Sequence, residues 1–152
     1  AAIDVVLDAG PDVFNHNIET VERLYKKVRP QSSWATTTGV LRYVAEQGHP
    51  AVKSGLMVGL GENDDEVVET LTMLRGLGVH IATIGQYLRP TRQHWEVDRY
   101  VDDDTYATYI HAGEELGFTH VFAGAFVRSS YHAEEALEHH VGVRRRQLKV
   151  VT

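Results

Sequence analysis

Four glycines punctuate this sequence at regular intervals, and their spacing constrains the fold more than any other feature. Gly10, Gly48, Gly78 and Gly117 each close a helix-patterned stretch and stand shortly before an apolar run. Glycine there supplies the left-handed residue that ends a last helical turn. The helix-like stretches are residues 20–28, 36–47, 63–77 and 102–116; the strand-like runs are 13–16, 52–58, 81–86 and 120–126. Asn63 with Glu66 fits a capping box, and Val67, Leu71 and Leu74 then form one apolar stripe. Strand and helix alternating in units of 30 to 39 residues predict a parallel α/β architecture.

Such units build either a doubly wound sheet or a (β/α) barrel, and the strand faces favour the barrel. Alternation sets Lys53, Gly55, Met57 and Gly59 against Val52, Ser54, Leu56 and Val58. It sets Asn15, Asn17 and Glu19 against Phe14, His16 and Ile18. One face suits a covering helix layer, and the other turns polar near the strand's C-terminal end. Strands buried between two helix layers are usually apolar on both faces. The expected fold is therefore an α/β partial TIM-type barrel, here a half-barrel of about four βα units over residues 1–133, with a tail at 134–152.

At 152 residues the chain is one domain by length, and 43% hydrophobic with 24% charged residues describes a folded chain. A net charge of −6 does not suggest a nucleic-acid groove. No apolar run approaches the ~18 residues of a membrane span, and no signal peptide opens the chain. A cytoplasmic or mitochondrial-matrix protein is expected. Cysteine is absent, so no disulfide or thiolate site can be made by these residues alone. The first residues, AAIDVVLDAG, already carry Ile3, Val6 and Leu7 at helical spacing, and the methionines are Met57 and Met73. The sequence reads as a fragment.

Three stretches carry candidate chemistry. GLMVGLGE, residues 55–62, sets glycines at a strand end. There they serve either a turn or the close approach of a flat ligand, and Glu62 either assists the ligand or favours the next helix N-terminus. In FNHNIET, residues 14–20, Asn17 and Glu19 share a face where barrel active sites lie. They suit a ribose diol or an ammonium group, or else they cap the following helix. Lys53, facing inward, wants an anion. In IGQYLRPT, residues 84–91, Gln86 and Arg89 fall at another strand end, where Arg89 either binds a carboxylate or sits at the surface.

FNHNIETV, VRP, KSGLMVGLGE, TIGQYLRP and VRSSYHA, in this order and spacing, resemble the lipoyl synthases of the radical S-adenosylmethionine (SAM) superfamily. The resemblance runs from about Val5 to Ala133 and implies the C-terminal half of such an enzyme. It implies two [4Fe–4S] clusters, one of which cleaves SAM while the auxiliary one, held by three cysteines and a serine, is the sulfur source. It implies a sulfurtransferase that inserts sulfur at C6 and C8 of an octanoyl-lysine. The partner implied is a lipoyl carrier domain, of a dehydrogenase E2 subunit or the glycine-cleavage H protein.

By the same resemblance Ser130 is the auxiliary-cluster serine, supported by Arg128, although Ser130 also suits the N-cap of a helix near His132. Asn17, Glu19, Lys53, Gly55, Met57, Gly59, Glu62, Gln86 and Arg89 are the implied SAM contacts. The sequence departs from the family at residues 123–126, AGAF, and at Glu96, and it lacks the cluster cysteines. Alone it is expected to be inactive. Two other readings stay open: a non-catalytic half-barrel that binds a partner, and a cluster-free barrel enzyme using Glu19, Glu62 and His16.

Overall fold

The computed structural model describes residues 2–130. The expected tail at 134–152, and Tyr131 to Ala133 of the last motif, lie outside the described residues. Four parallel strands, β1 (Phe14–Asn15), β2 (Val52–Val58), β3 (Ile81–Gln86) and β4 (His120–Gly124), form a sheet in the order β1-β2-β3-β4. The helices are α1 (Ala2–Asp8), α2 (Glu22–Val28), α3 (Trp34–Glu46), α4 (Asp64–Gly76) and α5 (Asp103–Glu115). Spatial order follows chain order, with no reversal of the kind that defines a doubly wound sheet. That is an open, partial (β/α) barrel.

One face of the sheet is covered. Val52, Leu56 and Val58 of β2 and Ala82 and Ile84 of β3 pack with Leu41 and Val44 of α3, Val67, Leu71 and Leu74 of α4, and Tyr106 and Tyr109 of α5. Leu71, Leu74, Val58 and Ile84 are wholly buried, and each such side chain contributes about 1.5–3 kcal/mol relative to exposure. The opposite face has a small apolar cluster near the strand N-termini, Ala51 and Ile81 with Val13 and Phe122, and Met57 packs against a second cluster of Val21, Leu24, Leu60 and Tyr87.

The predicted punctuation holds in detail. Gly10, Gly48, Gly78 and Gly117 have φ of 64, 74, 90 and 84°. Gly78 also allows close packing, since a Cβ there would meet that of Ala45 at 2.6 Å. Strands β2 and β3 have the expected bounds, whereas β4 ends at Gly124 because the Val127 amide turns back to the Gly124 carbonyl. Helix α3 begins two residues early, at Trp34, because the Ser33 hydroxyl accepts from the Thr36 amide at 3.4 Å and caps it.

Helix α4 starts with a full capping box. Asn63 accepts from the Glu66 amide, and Glu66 accepts from the Asn63 amide, both at 2.9 Å. Arg23 of α2 donates to both oxygens of the same carboxylate, at 2.7 and 2.8 Å. The Arg23 guanidinium, with the Asn63 amide, holds Glu66 down at about 2 from an ordinary 4.5. Because the folded value lies below the unfolded one, the stabilisation is present above about pH 4.5 and is lost as pH falls toward 2. Urea unfolding across that window should show stability falling with acid, and Glu66→Gln should flatten the fall. An unchanged slope in Glu66→Gln would exclude this carboxylate as a contributor.

Candidate functional site

A cleft of about 210 Å³ opens on the uncovered face at the C-terminal ends of the strands. Its walls come from the β1–α2 segment (Asn17, Glu19), from β2 (Gly55, Met57), from β3 (Thr83, Gly85) and from the segment after β4 (Val127, Arg128, Ser129). Register explains the hollow. Gly55 pairs with Thr83 and Met57 with Gly85, so each of these rows has a glycine where a side chain would fill the space. A Cβ on Gly55 would lie 2.5 Å from the Thr83 hydroxyl and 3.1 Å from Asn17 Oδ1.

A bulge aims Asn17 and Glu19 into this cleft. Asn15 pairs with Lys53, but the next paired residue, Glu19, lies opposite Leu56, so four steps on one strand match three on the other. One residue is extra. The ladder resumes where Glu19 donates to the Gly55 carbonyl and accepts from the Met57 amide, both at 2.9 Å. Inside the bulge the buried Ile18 amide finds the Ser54 hydroxyl at 3.1 Å in place of a backbone partner. Glu19 takes a left-handed φ of 73°, a strained conformation for a side chain of this kind. Its carboxylate contacts Arg29 at 3.3 Å. Asn17 Oδ1 is shielded from solvent and has no hydrogen-bond partner among the described residues.

The other expected site residues are placed as follows. Gln86 borders the cleft, but its amide donates to the carbonyls of Val58, Tyr87 and Arg99 and accepts from the Val101 amide. Gly59 and Glu62 stand outside the cleft lining. The buried Glu62 carboxylate accepts from the Gly59 and Leu60 amides at 2.7 and 2.9 Å and so holds the turn after β2. Gly59, at φ 94°, admits the long β3–α5 loop, whose Asp98 amide reaches the Gly59 carbonyl at 2.9 Å. Arg89 lies in that loop, bound to the carbonyls of His94 and Arg92 and to Glu96.

Lys53 is 2% exposed, points to the cleft side one row below Gly55, and does not border the cleft; burial pushes its ammonium down. Arg128 folds back on its own segment, donating to the Ala125 and Val127 carbonyls at 3.2 and 2.6 Å. Ser129 lines the cleft, while Ser130 is exposed and outside it. Thr83, Gly85 and Ser129 are cleft residues that were not singled out as contacts. Thr83 and Gly85 were legible, because they share the strand parity of Gly55 and Met57.

The family model described as the Radical SAM superfamily matches residues 1–74. The lipoyl synthase of Rubrobacter xylanophilus is 55% identical over 139 residues, covering 90% of this chain and 43% of that protein. A mitochondrial lipoyl synthase of Nematostella vectensis is 47% identical over 133 residues, 88% of this chain and 46% of that protein. Over about nine-tenths of its length the chain is thus similar to part of the lipoyl synthases. It spans less than half the length of these curated relatives. By structure, a protein assigned as a phosphonomutase from Burkholderia cenocepacia J2315 overlays 89% of this chain and 55% of its own, with a TM-score of 0.52 at 20% identity. At that identity the likeness shows the fold alone.

The bulge generates a test. Ser54→Ala removes the one partner of the Ile18 amide by deleting a single buried oxygen from the helix-covered face. It should cost about 1–3 kcal/mol, read as a lower urea midpoint at constant slope. Ser54→Thr, which keeps the hydroxyl, should recover part of it. Equal stability of Ser54→Ala and parent would mean the bulge needs no side-chain partner.

Proposed function

We propose that this chain forms one wall of a SAM-binding partial barrel and acts as part of a lipoyl synthase, the activity its sequence relatives are named for. The observation that carries this reading is the cleft itself. It is hollowed by Gly55 and Gly85, sits at the C-terminal strand ends, and holds an unsatisfied Asn17 oxygen. A shielded oxygen without a partner costs about 1–3 kcal/mol, and a ligand hydroxyl or ammonium offset against it recovers that cost.

The residues fit an adenosylated ligand. Gly55 and Gly85 let a flat ring approach the strands, and Met57 supplies a polarisable contact. Asn17 and Glu19 offer oxygen acceptors for a ribose diol or an ammonium group. Arg29 pairs at 3.3 Å with Glu19, which lines the cleft, and is the cation proposed for a ligand carboxylate. When bound and reductively cleaved, SAM supplies the hydrogen-atom abstraction that precedes sulfur insertion at C6 and C8 of an octanoyl-lysine. This chain's residues bind and orient the ligand.

The iron–sulfur clusters are a different matter. The 152 residues contain no cysteine, and no group of three or more His, Asp or Glu side chains converges among the described residues. The donor set of a [4Fe–4S] cluster is therefore not met within this chain, and Ser130 would be its single contribution. The thiolates of the full reaction belong to residues beyond these. A lipoyl carrier domain bearing the octanoyl chain is the proposed macromolecular partner. Among the described residues no helix is long and apolar enough to cross a membrane.

A hybrid enzyme tests this reading. The matching segment of the Rubrobacter xylanophilus protein is replaced by this chain, the clusters are reconstituted, and SAM binding and conversion of an octanoyl-lysine peptide are measured. Binding and lipoyl product are expected, and Asn17→Ala should weaken SAM binding by about tenfold. A hybrid with intact clusters that binds no SAM would defeat the proposal.

A further inference from the structure

The last described segment crosses the end of β3 at unusually short range. Gly85 pairs with Gly124, after which the chain turns through the Val127 amide bonded to the Gly124 carbonyl at 3.1 Å. The Val127 carbonyl then lies directly over Gly85, so close that a Cβ there would overlap it, and that Cβ would stand 3.3 Å from Arg128 Nη1. The side chain of Val127 is 7% exposed, and the Arg128 guanidinium clasps the carbonyls of Ala125 and Val127. Beyond this crossing, Ser129 faces the cleft opposite Asn17 and Glu19. Gly124 differs from Gly85, since a Cβ on it would meet only Val127 Cγ2, at an ordinary 3.5 Å.

We propose that residues 125–130 form a strap closing one side of the cleft, and that Gly85 is the positioning residue that admits it. Gly85 does not need a left-handed conformation, so its lack of a side chain serves close approach alone. A backbone carbonyl cannot swing aside as a flexible side chain can. A methyl at 85 therefore lifts the strap as a unit and moves Val127, Arg128 and Ser129 out of the cleft wall. The positioning role rests on the proposed SAM site; the strap itself does not.

Hydrogen exchange on the full 152-residue chain tests the strap, with the β2 amides as the internal reference for an intact sheet. Gly85→Ala should exchange about tenfold faster across 125–130 while β2 stays protected, and Gly124→Ala should match the parent. Arg128→Gln, which adds no bulk and removes the clasp, should also quicken exchange there. If Gly85→Ala loosens β2 as well, Arg128→Gln decides: parental protection across 125–130 in that variant overturns the strap. Parental protection in a folded Gly85→Ala overturns it too.

SAM affinity in the hybrid enzyme then separates positioning from stability. Gly85→Ala should weaken binding by about tenfold at a temperature where it is folded, and Gly124→Ala by less than about twofold. Unchanged affinity with a loosened strap would reduce Gly85 to a structural role. No SAM binding by the parent hybrid would defeat the cofactor reading while the exchange result still decides the strap.

Discussion

The parallel ladder between β2 and β3 is the constraint on which everything else depends. Its register, from Lys53 opposite Ile81 to Val58 opposite Gln86, gives each residue to one of two faces. Shifting β3 by one residue against β2 would turn Ile84 into the cleft and Gly85 toward the helices. Both the apolar core and the hollow would be lost together. The helix layer fixes the register because only one of the two faces is apolar. The cleft is thus a consequence of packing on the opposite side of the sheet.

Polar groups buried along this ladder divide into two kinds. Glu62, Gln86 and Ser54 find protein partners, and each holds a backbone departure: the turn after β2, the long β3–α5 loop, and the bulge before Glu19. Arg99 extends the first of these by bonding Asp64, whose carboxyl it holds below the usual range with help from Tyr109. Asn17 belongs to the second kind, with an oxygen left over inside the cleft. Buried polar atoms are seldom left unpaired in folded proteins. Thr20 Oγ1 and Arg99 Nε are also unpaired among the described residues, but Asn17 is the one of these three that lines the cleft.

This contrast also marks the limit of what the sequence could reveal. Strand order, helix punctuation and the two faces of β2 were legible, because period-two alternation and terminal glycines are local signals. The glycines of residues 55–62 looked equivalent in sequence and are not. Gly55 opens the cleft, while Gly59 lets the loop residues Asp98 and Arg99 approach from 39 and 40 positions along the chain. Glu62 reads as a ligand residue until its carboxylate is seen to accept two amides within its own turn. The bulge was invisible, since an extra residue shows only against the partner strand. Simple alternation puts Asn17 and Glu19 on one face, and an extra residue between them would have broken that pairing. They share the cleft because two residues apart keeps one face locally.

Glycine in this fold therefore has three separable duties, and they predict different tolerance to a side chain. At Gly10, Gly48 and Gly117 the requirement is conformational, because φ is left-handed and a Cβ would meet nothing closer than 3.9 Å. Asparagine, which enters that region more readily than other side chains, is the least costly replacement there. At Gly55 and Gly85 φ is ordinary and the requirement is space, so asparagine would be worse than alanine. Gly59 and Gly78 combine both demands. The helix-ending glycines answer to the local chain, whereas the cleft glycines answer to what crosses above them. Only the second group connects the sheet's register to ligand access, at Gly55 through the Thr83 and Asn17 side chains and at Gly85 through the Val127 backbone, which no side-chain substitution elsewhere can restore.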